Sequence, residues 1–304
     1  MNKSTNTEPN ADTEWGDIEG IHAAFYNSRG HRISISTTSG RLFLVDTSLH
    51  ILKSVQAHEG RANSSFFSLD DKFIITGGQD EVLNVWNSDD LSLDRKYDFG
   101  YNSYTSVHGF YTLGGCGRNG VVAIYDKRTT DTLFVELEPD GANHLFYVNP
   151  DTTLVISSGL HGYELDIQSG VVTKRFAGHT DRVYCIMPSN DKSRVVTSSA
   201  DSTVKIFNRA TENLLYTSPK LDGRAYVSCF SHDDDLVAAS TSAGSIYFLD
   251  TTLTKVKMRI DAFDTRINTI HYSPSGDRMV AGSEGGGAKI FDTRTGDLLF
   301  SLSF

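Results

Sequence analysis

Two pairs of histidine and carboxylate are the first residues in this sequence whose types and spacing could do chemistry. His58 stands 22 residues before Asp80, and His179 stands 22 before Asp201. An imidazole oriented by a carboxylate is a common general base, so either pair has the parts needed to abstract a proton. Repetition argues against that use. Thr76 and Thr197 each lie 18 after their histidine, and Trp86 and Phe207 each lie 28 after it. A device present twice at one spacing reads as an internal clamp of a repeated unit, because an active site needs a single convergent constellation.

Other chemical motifs dissolve on inspection. Gly115-Cys116-Gly117-Arg118-Asn119-Gly120 matches G-x-G-x-x-G, but a dinucleotide fingerprint needs a strand before it and a helix after it. The run that follows, Val121 to Tyr125, has strand character, so the glycines read as a hairpin turn. Glu284-Gly285-Gly286-Gly287 reads the same way. The chain has no G-x-S-x-G elbow, no H-E-x-x-H and no P-loop. Cys116, Cys185 and Cys229 are odd in number and widely spaced with no CxxC pair, which indicates neither a disulfide framework nor a zinc site. The expectation is a chain with no catalytic residues, no metal, no cofactor and no small-molecule substrate.

Apolar residues form 38% of the 304 and aromatic residues 11%, enough to fill a core. The formal charge of -10 argues against wholesale coating of a polyanion, while leaving room for a local basic patch. No apolar run approaches the roughly 18 to 20 residues that span a bilayer. The first seventeen residues, MNKSTNTEPNADTEWGD, lack the apolar core of a secretion signal. A flexible tail over 1–17 is therefore expected, on an intracellular protein of the cytoplasm or nucleus with no membrane insertion.

A repeat positions all of these residues. An alternating apolar run ends in a bulky residue followed by Asp or Asn at Val45-Asp46, Trp86-Asn87, Tyr125-Asp126, Leu165-Asp166, Phe207-Asn208, Leu249-Asp250 and Phe291-Asp292. The intervals are 41, 39, 40, 42, 42 and 42 residues, the period of a propeller blade with four strands. Before each mark the pattern alternates with period two, as in Val204-Lys205-Ile206-Phe207. The fifth unit divides into Arg182 to Met187, Arg194 to Ser199, Thr203 to Phe207 and Leu214 to Thr217, with turn residues between them.

The chain resembles the WD40-repeat family, whose signature is a Gly-His pair opening each unit and a Trp-Asp pair closing its third strand. The clearest copies are Ala57-His58 with Trp86-Asn87, and Gly178-His179 with Phe207-Asn208. The resemblance implies an all-β fold: a seven-bladed WD40 β-propeller with four antiparallel strands per blade, over residues 18–304. The blades are expected at about 18–56, 57–99, 100–138, 139–176, 177–218, 219–260 and 261–304. It also implies structural tetrads in which Asp orients His, His meets the Thr hydroxyl, and the hydroxyl meets the Trp ring N–H. His58, Thr76, Asp80 and Trp86 supply all four members; His179, Thr197, Asp201 and Phe207 stop at the threonine, because Phe207 has no ring N–H. The other blades lack the set, with Asn119, Ala243 or Gly285 where Asp would be. Leu298 to Leu302 supplies a fourth strand to the last blade, so blades 1 and 7 should meet through side chains alone, unless Glu14 to Glu19 add a strand.

The register also predicts a surface. Counting 25 back from each closing residue reaches Arg61, Arg182, Arg224 and Arg266, and 23 back gives His22, Asn63, Tyr184, Tyr226 and Asn268, with His144 assigned for blade 4. Gln79, Arg118, Ala200, Ser242 and Glu284, just before the tetrad Asp position, join them. In the WD40 family this end of the ring is the usual place where peptides dock, and Arg and aromatic residues dominate interface energetics. The function expected is a non-enzymatic scaffold in a larger complex, binding acidic or phosphorylated segments of other proteins. Two alternatives stay open. One is RNA, through stacking on tyrosine and pairing with arginine. The other is a substrate receptor of a cullin-RING ubiquitin ligase, from the W-D-x-R look of Tyr125-Asp126-Lys127-Arg128 and Phe291-Asp292-Thr293-Arg294. The bland reading is that these arginines bond turn carboxylates such as Asp191 and Asp234, or extend into water.

Overall fold

Each interval of the repeat folds into a four-stranded antiparallel sheet whose strands follow one another in chain order. The structure, a computed structural model, describes residues 19–98, 103–108, 112–117, 120–129, 131–138 and 141–303. Seven such sheets are present among the described residues, and no helix is. The expected tail over 1–17 lies outside them, as does most of the segment from Glu14 to Glu19.

The first strands are Ile21–Tyr26, Ala62–Phe67, Ser103–His108, Ala142–Asn149, Val183–Pro188, Ala225–Phe230 and Ile267–Tyr272. Each contacts the first strand of the next sheet, and the seventh contacts the first, so these strands wall a central channel. The third strands end at the seven marks read from the sequence: Asp46, Asn87, Asp126, Asp166, Asn208, Asp250 and Asp292. This is a seven-bladed β-propeller.

Sheets pack face to face, so second strands are buried on both sides, as in Arg194–Ser199, where five of six residues are buried. Outer strands face water on both, and Leu93, Val256 and Leu298 are about half exposed. An apolar cluster fills each joint: Leu42 and Leu44 of blade 1 pack on Ile74 and Trp86 of blade 2, and Ile21 and Ile33 of blade 1 pack on Val280 and Ile290 of blade 7. Fully burying one such side chain stabilises by about 1.5–3 kcal/mol, so the joints hold the ring.

Two irregularities recur. In the turn after the first strand, one position takes positive φ: Gly30, Asp71, Asp151, Lys192, Asp234 and Gly276, at 58° to 74°. Asp tolerates this conformation better than most side chains, and here it also clamps the preceding blade. Asp71 accepts from Ser28 N at 2.9 Å, Asp151 from Thr112 N at 2.8 Å, and Asp234 from Asn190 N and Asp191 N at 2.9 Å each.

The second irregularity is a bulge near the start of every first strand. The pairing skips His22, Asn63, Tyr104, Asn143, Tyr184, Tyr226 with Val227, and Asn268. A bulge leaves one residue out of the ladder and re-aims its side chain.

Blade 7 carries its own fourth strand, Leu298–Leu302. Its seam with blade 1 is crossed by Asn268 Nδ2 donating to Ile21 O at 2.8 Å and Ala24 N donating to Thr269 Oγ1 at 3.3 Å. Among the described residues no main-chain pairing crosses that seam.

Candidate functional site

The bulges build the mouth of the channel. The skipped residues His22, Asn63, Asn143, Tyr184, Tyr226 and Asn268 line one cavity, and an arginine precedes the first strand of blades 2, 5, 6 and 7. Its carbonyl accepts the N–H that lies 18 residues on: Gln79 N to Arg61 O and Ala200 N to Arg182 O at 2.8 Å, Ser242 N to Arg224 O and Glu284 N to Arg266 O at 2.9 Å. The backbone thus fixes each arginine at the same height. The mouth is a cavity of about 840 Å³ lined by Arg61, Asn63, His144, Arg182, Tyr184, Arg224, Tyr226, Arg266 and Asn268, with His22 and Glu284. Gln79 lies outside that lining, and Arg118 falls outside the described residues.

The four arginines are not equivalent. Arg266 is committed: Nε donates to Asn268 Oδ1 at 2.7 Å, Nη1 to Tyr226 Oη at 3.2 Å and Nη2 to Glu284 Oε1 at 2.8 Å, with the guanidinium 4.7 Å from the Tyr226 ring centre. Arg61, Arg182 and Arg224 are exposed and form no ion pair among the described residues. Asp191 and Asp234, considered above as partners, sit at the other end of the blades and bind Ser193 N and Asn190 N instead.

Tyr184 and Tyr226 stack in parallel, centroids 4.5 Å apart and planes 5° apart. Burial and the adjacent Tyr226 raise the Tyr184 pKa, although Arg224 opposes them, so its hydroxyl stays protonated near neutrality. Burial, and then the charges of Arg61 and Arg266, push His22 down to about 4. The positive charge of the mouth therefore comes from arginine alone.

The register places Asn143 at the blade 4 bulge; His144 pairs with Ser157. Asn143 Nδ2 donates to Val183 O at 3.0 Å, matching the reach of Asn268 to Ile21 O. His144 Nδ1 faces Ile186 O at 3.2 Å, and burial pushes this histidine down to about 4.

The histidine and carboxylate pairs lie apart from this mouth, each within one blade. His58 Nδ1 is 2.8 Å from Asp80 Oδ1, His58 Nε2 is 2.8 Å from Thr76 Oγ1, and Trp86 Nε1 donates to Thr76 Oγ1 at 2.9 Å. All three bonds are satisfied together when Nδ1 carries the proton and the threonine hydroxyl donates to Nε2. In blade 5, His179 Nδ1 lies 2.7 Å from Asp201 Oδ2 and Nε2 lies 2.8 Å from Thr197 Oγ1. Burial works against the Asp201 carboxylate, but bonds from His179 and Thr203 together hold its pKa well below the usual range. With His58 3% exposed and His179 6%, neither imidazole can reach a substrate.

The glycine motif is a hairpin: Gly115 and Gly117 lie in the strand Thr112–Gly117, and Val121–Asp126 follows. Residues 118 and 119 fall outside the described residues. At the opposite end of the channel a second cavity, of about 580 Å³, is walled mainly by apolar side chains. Phe25 and Phe66, with ring centres 4.0 Å apart, line both cavities.

The WD40 family model, described as WD domain, G-beta repeat, matches residues 49–87, 170–208 and 255–292. The chain carries three WD40 repeats. Each matched WD40 segment begins at the outer strand of one blade and ends with the third strand of the next, as Ile51–Gln56 and Val82–Asn87 do in the first. It is similar to Autophagy-related protein 16 of Arabidopsis thaliana, at 24% identity over 82% of this chain and 42% of that protein. It is also similar to the guanine nucleotide-binding protein subunit beta of Nicotiana tabacum, at 24% over 83% of this chain and 62% of that protein. A third relative is the human U3 small nucleolar RNA-associated protein 4 homolog, at 27% over 40% of this chain and 18% of that protein. The chain spans less than two thirds of the length of each.

Two features of the mouth escaped the sequence reading. The bulge has no residue signature, since His, Asn and Tyr all occupy it. Glu284 as the counter-ion of Arg266 could have been found, because the two sit 18 apart in the register where Gln79, Ala200 and Ser242 are uncharged.

Proposed function

We propose that this WD40-repeat protein is a non-enzymatic scaffold, a subunit of a larger intracellular assembly. Its arginine-bearing mouth docks segments of other proteins that carry acidic or phosphorylated side chains. One observation supports this reading above the rest: Arg61, Arg182 and Arg224 stand exposed around a cavity of about 840 Å³ with no carboxylate paired to them among the described residues. A guanidinium offers a planar fork of donors that fits carboxylate and phosphate oxygens two at a time. The test is affinity purification with mass spectrometry, comparing the natural chain with Arg61→Glu/Arg182→Glu/Arg224→Glu. Loss of partners from a variant that melts normally supports the proposal; an unchanged partner set sinks it.

RNA is the second reading, favoured by the parallel Tyr184 and Tyr226 rings beside Arg224 and by the relative named for association with U3 small nucleolar RNA. Polyanion binding weakens steeply as salt rises, so an affinity that barely changes between low and high salt counts against it. The ubiquitin-ligase reading gains nothing from the geometry, because Arg128 Nε bonds Asp126 Oδ1 of its own turn at 3.0 Å.

A further inference from the structure

We propose that the opposite mouth of the channel is a second docking site, which takes a segment of another protein whose apolar side chain is flanked by lysine or arginine. The cavity there, about 580 Å³, is walled by side chains at the ends of the first strands, among them Tyr26, Phe67, Phe146, Met187, Phe230 and Tyr272. Leu69 stands at its edge, 47% exposed in a turn. Pro150, Pro188 and Pro274 stiffen the rim, which lowers the ordering cost of binding.

The walls are not wholly apolar. Tyr26 Oη, Tyr272 Oη and His271 Nδ1 are buried with no hydrogen-bond partner. Leaving such a group unpaired is unfavourable, so a ligand that supplies the missing partner gains by it. Tyrosine hydroxyls are donors for the peptide carbonyls of an inserted segment, and burial raises the pKa of both phenols, keeping their protons in place.

Charge chooses the flanks of the occupant. The carboxylates of Asp71, Asp191, Asp233, Asp234 and Asp277 on this end bond only uncharged N–H and O–H donors and form no ion pair among the described residues. Arg29, Lys72, Lys192, Arg194 and Arg278 share the end, but Lys72 pairs with Asp70 at 3.6 Å, Lys192 donates to Asn149 Oδ1, Arg194 lies over the Phe230 ring and Arg278 over the Phe300 ring, which leaves Arg29 against five carboxylates. The cavity lining here holds one carboxylate, Asp71, and one lysine, Lys192, so the acidic excess lies in the surrounding turns, whereas the arginine mouth has four arginines and one glutamate in its lining. Acidic segments are steered to one end and basic segments to the other.

The experiment is selection from a random dodecapeptide display library on the intact chain, followed by titration of the enriched peptides. Peptides that pair an aliphatic or aromatic residue with adjacent lysine or arginine are expected. Their Kd should rise at least tenfold in Leu69→Asp and at least threefold in Asp233→Lys, both exposed positions, with each variant titrated below its own measured melting temperature. It should not move in Arg182→Glu/Arg224→Glu. Enrichment of acidic peptides alone, indifference to Leu69→Asp, or no enrichment overturns the proposal. The arginine variants judge the other mouth separately, so the two readings fail independently.

Discussion

Thr76 and Thr197 occupy the same place in two blades, and their removal should not cost the same. Thr76→Val leaves both the His58 Nε2 and the Trp86 ring N–H without a partner, whereas Thr197→Val strands only the His179 Nε2. Each buried orphan costs about 1–3 kcal/mol, so urea denaturation should rank Thr76→Val as the more damaging by at least 1 kcal/mol. Histidine also sets the acid limit of the fold. Burial holds His144 and His271 down to about 4, and burial followed by Arg61 and Arg266 does the same for His22. Their folded values lie below the unfolded one near 6.5, so the unfolded chain binds more protons as pH falls. The stability they contribute is present above pH 6.5 and is lost between there and pH 4, by up to about 3 kcal/mol per histidine. Denaturation midpoints measured across that window should fall steadily; a flat profile would contradict the buried, neutral state of these rings.

At the scale of strands and turns, the sequence was most legible where side-chain chemistry and period coincide. The seven closing residues mark seven third strands because a bulky residue before Asp or Asn must finish a buried strand. Strand edges in the fifth unit differ from the sequence reading by no more than one residue. His144 sits in the lining of the mouth but one residue past the blade 4 bulge, for a local reason: the closing Leu165 pairs with Leu154, 11 residues back, whereas Phe207 in blade 5 pairs with Val195, 12 back. That shortening moves the register by one, to Asn143, and composition gives no sign of it. The turn carboxylates were equally hidden, since Asp71 and Asp234 look like ordinary polar turn residues until φ and the neighbouring blade are seen. Asp234→Ala removes the acceptors of three N–H groups on blade 5 and keeps a Cβ at φ 60° without the bonds that offset it. A loss of about 1–3 kcal/mol is expected. Asp234→Gly should recover about 1 kcal/mol of it by relieving the backbone, a difference that chemical denaturation resolves.

Over the whole ring, the joints differ in what holds them. Blades 1 and 2, 3 and 4, and 5 and 6 are tied by an aspartate, while both joints of blade 7 have glycine at that position, Gly276 beside His232 and Gly30 beside Pro274. Blade 7 relies on close approach at the other end of the channel. A Cβ on Gly282 would come within 2.4 Å of Ile21 Cγ2, and one on Gly20 within 2.5 Å of Glu284 O. Overpacking costs about 1–3 kcal/mol. Gly20→Ala and Gly282→Val should therefore each lower the melting temperature, Gly20→Ala because a backbone carbonyl cannot swing aside, and calorimetry would register both.

The Phe25 and Phe66 rings belong to both basins at once, a shared diaphragm across the bore. Six-residue strands rise about 20 Å, and Phe25 and Phe66 are the residues that guests at the two ends would share. A guest that pushes this partition outward takes room from its counterpart, and thermodynamic reciprocity makes that penalty equal in both directions.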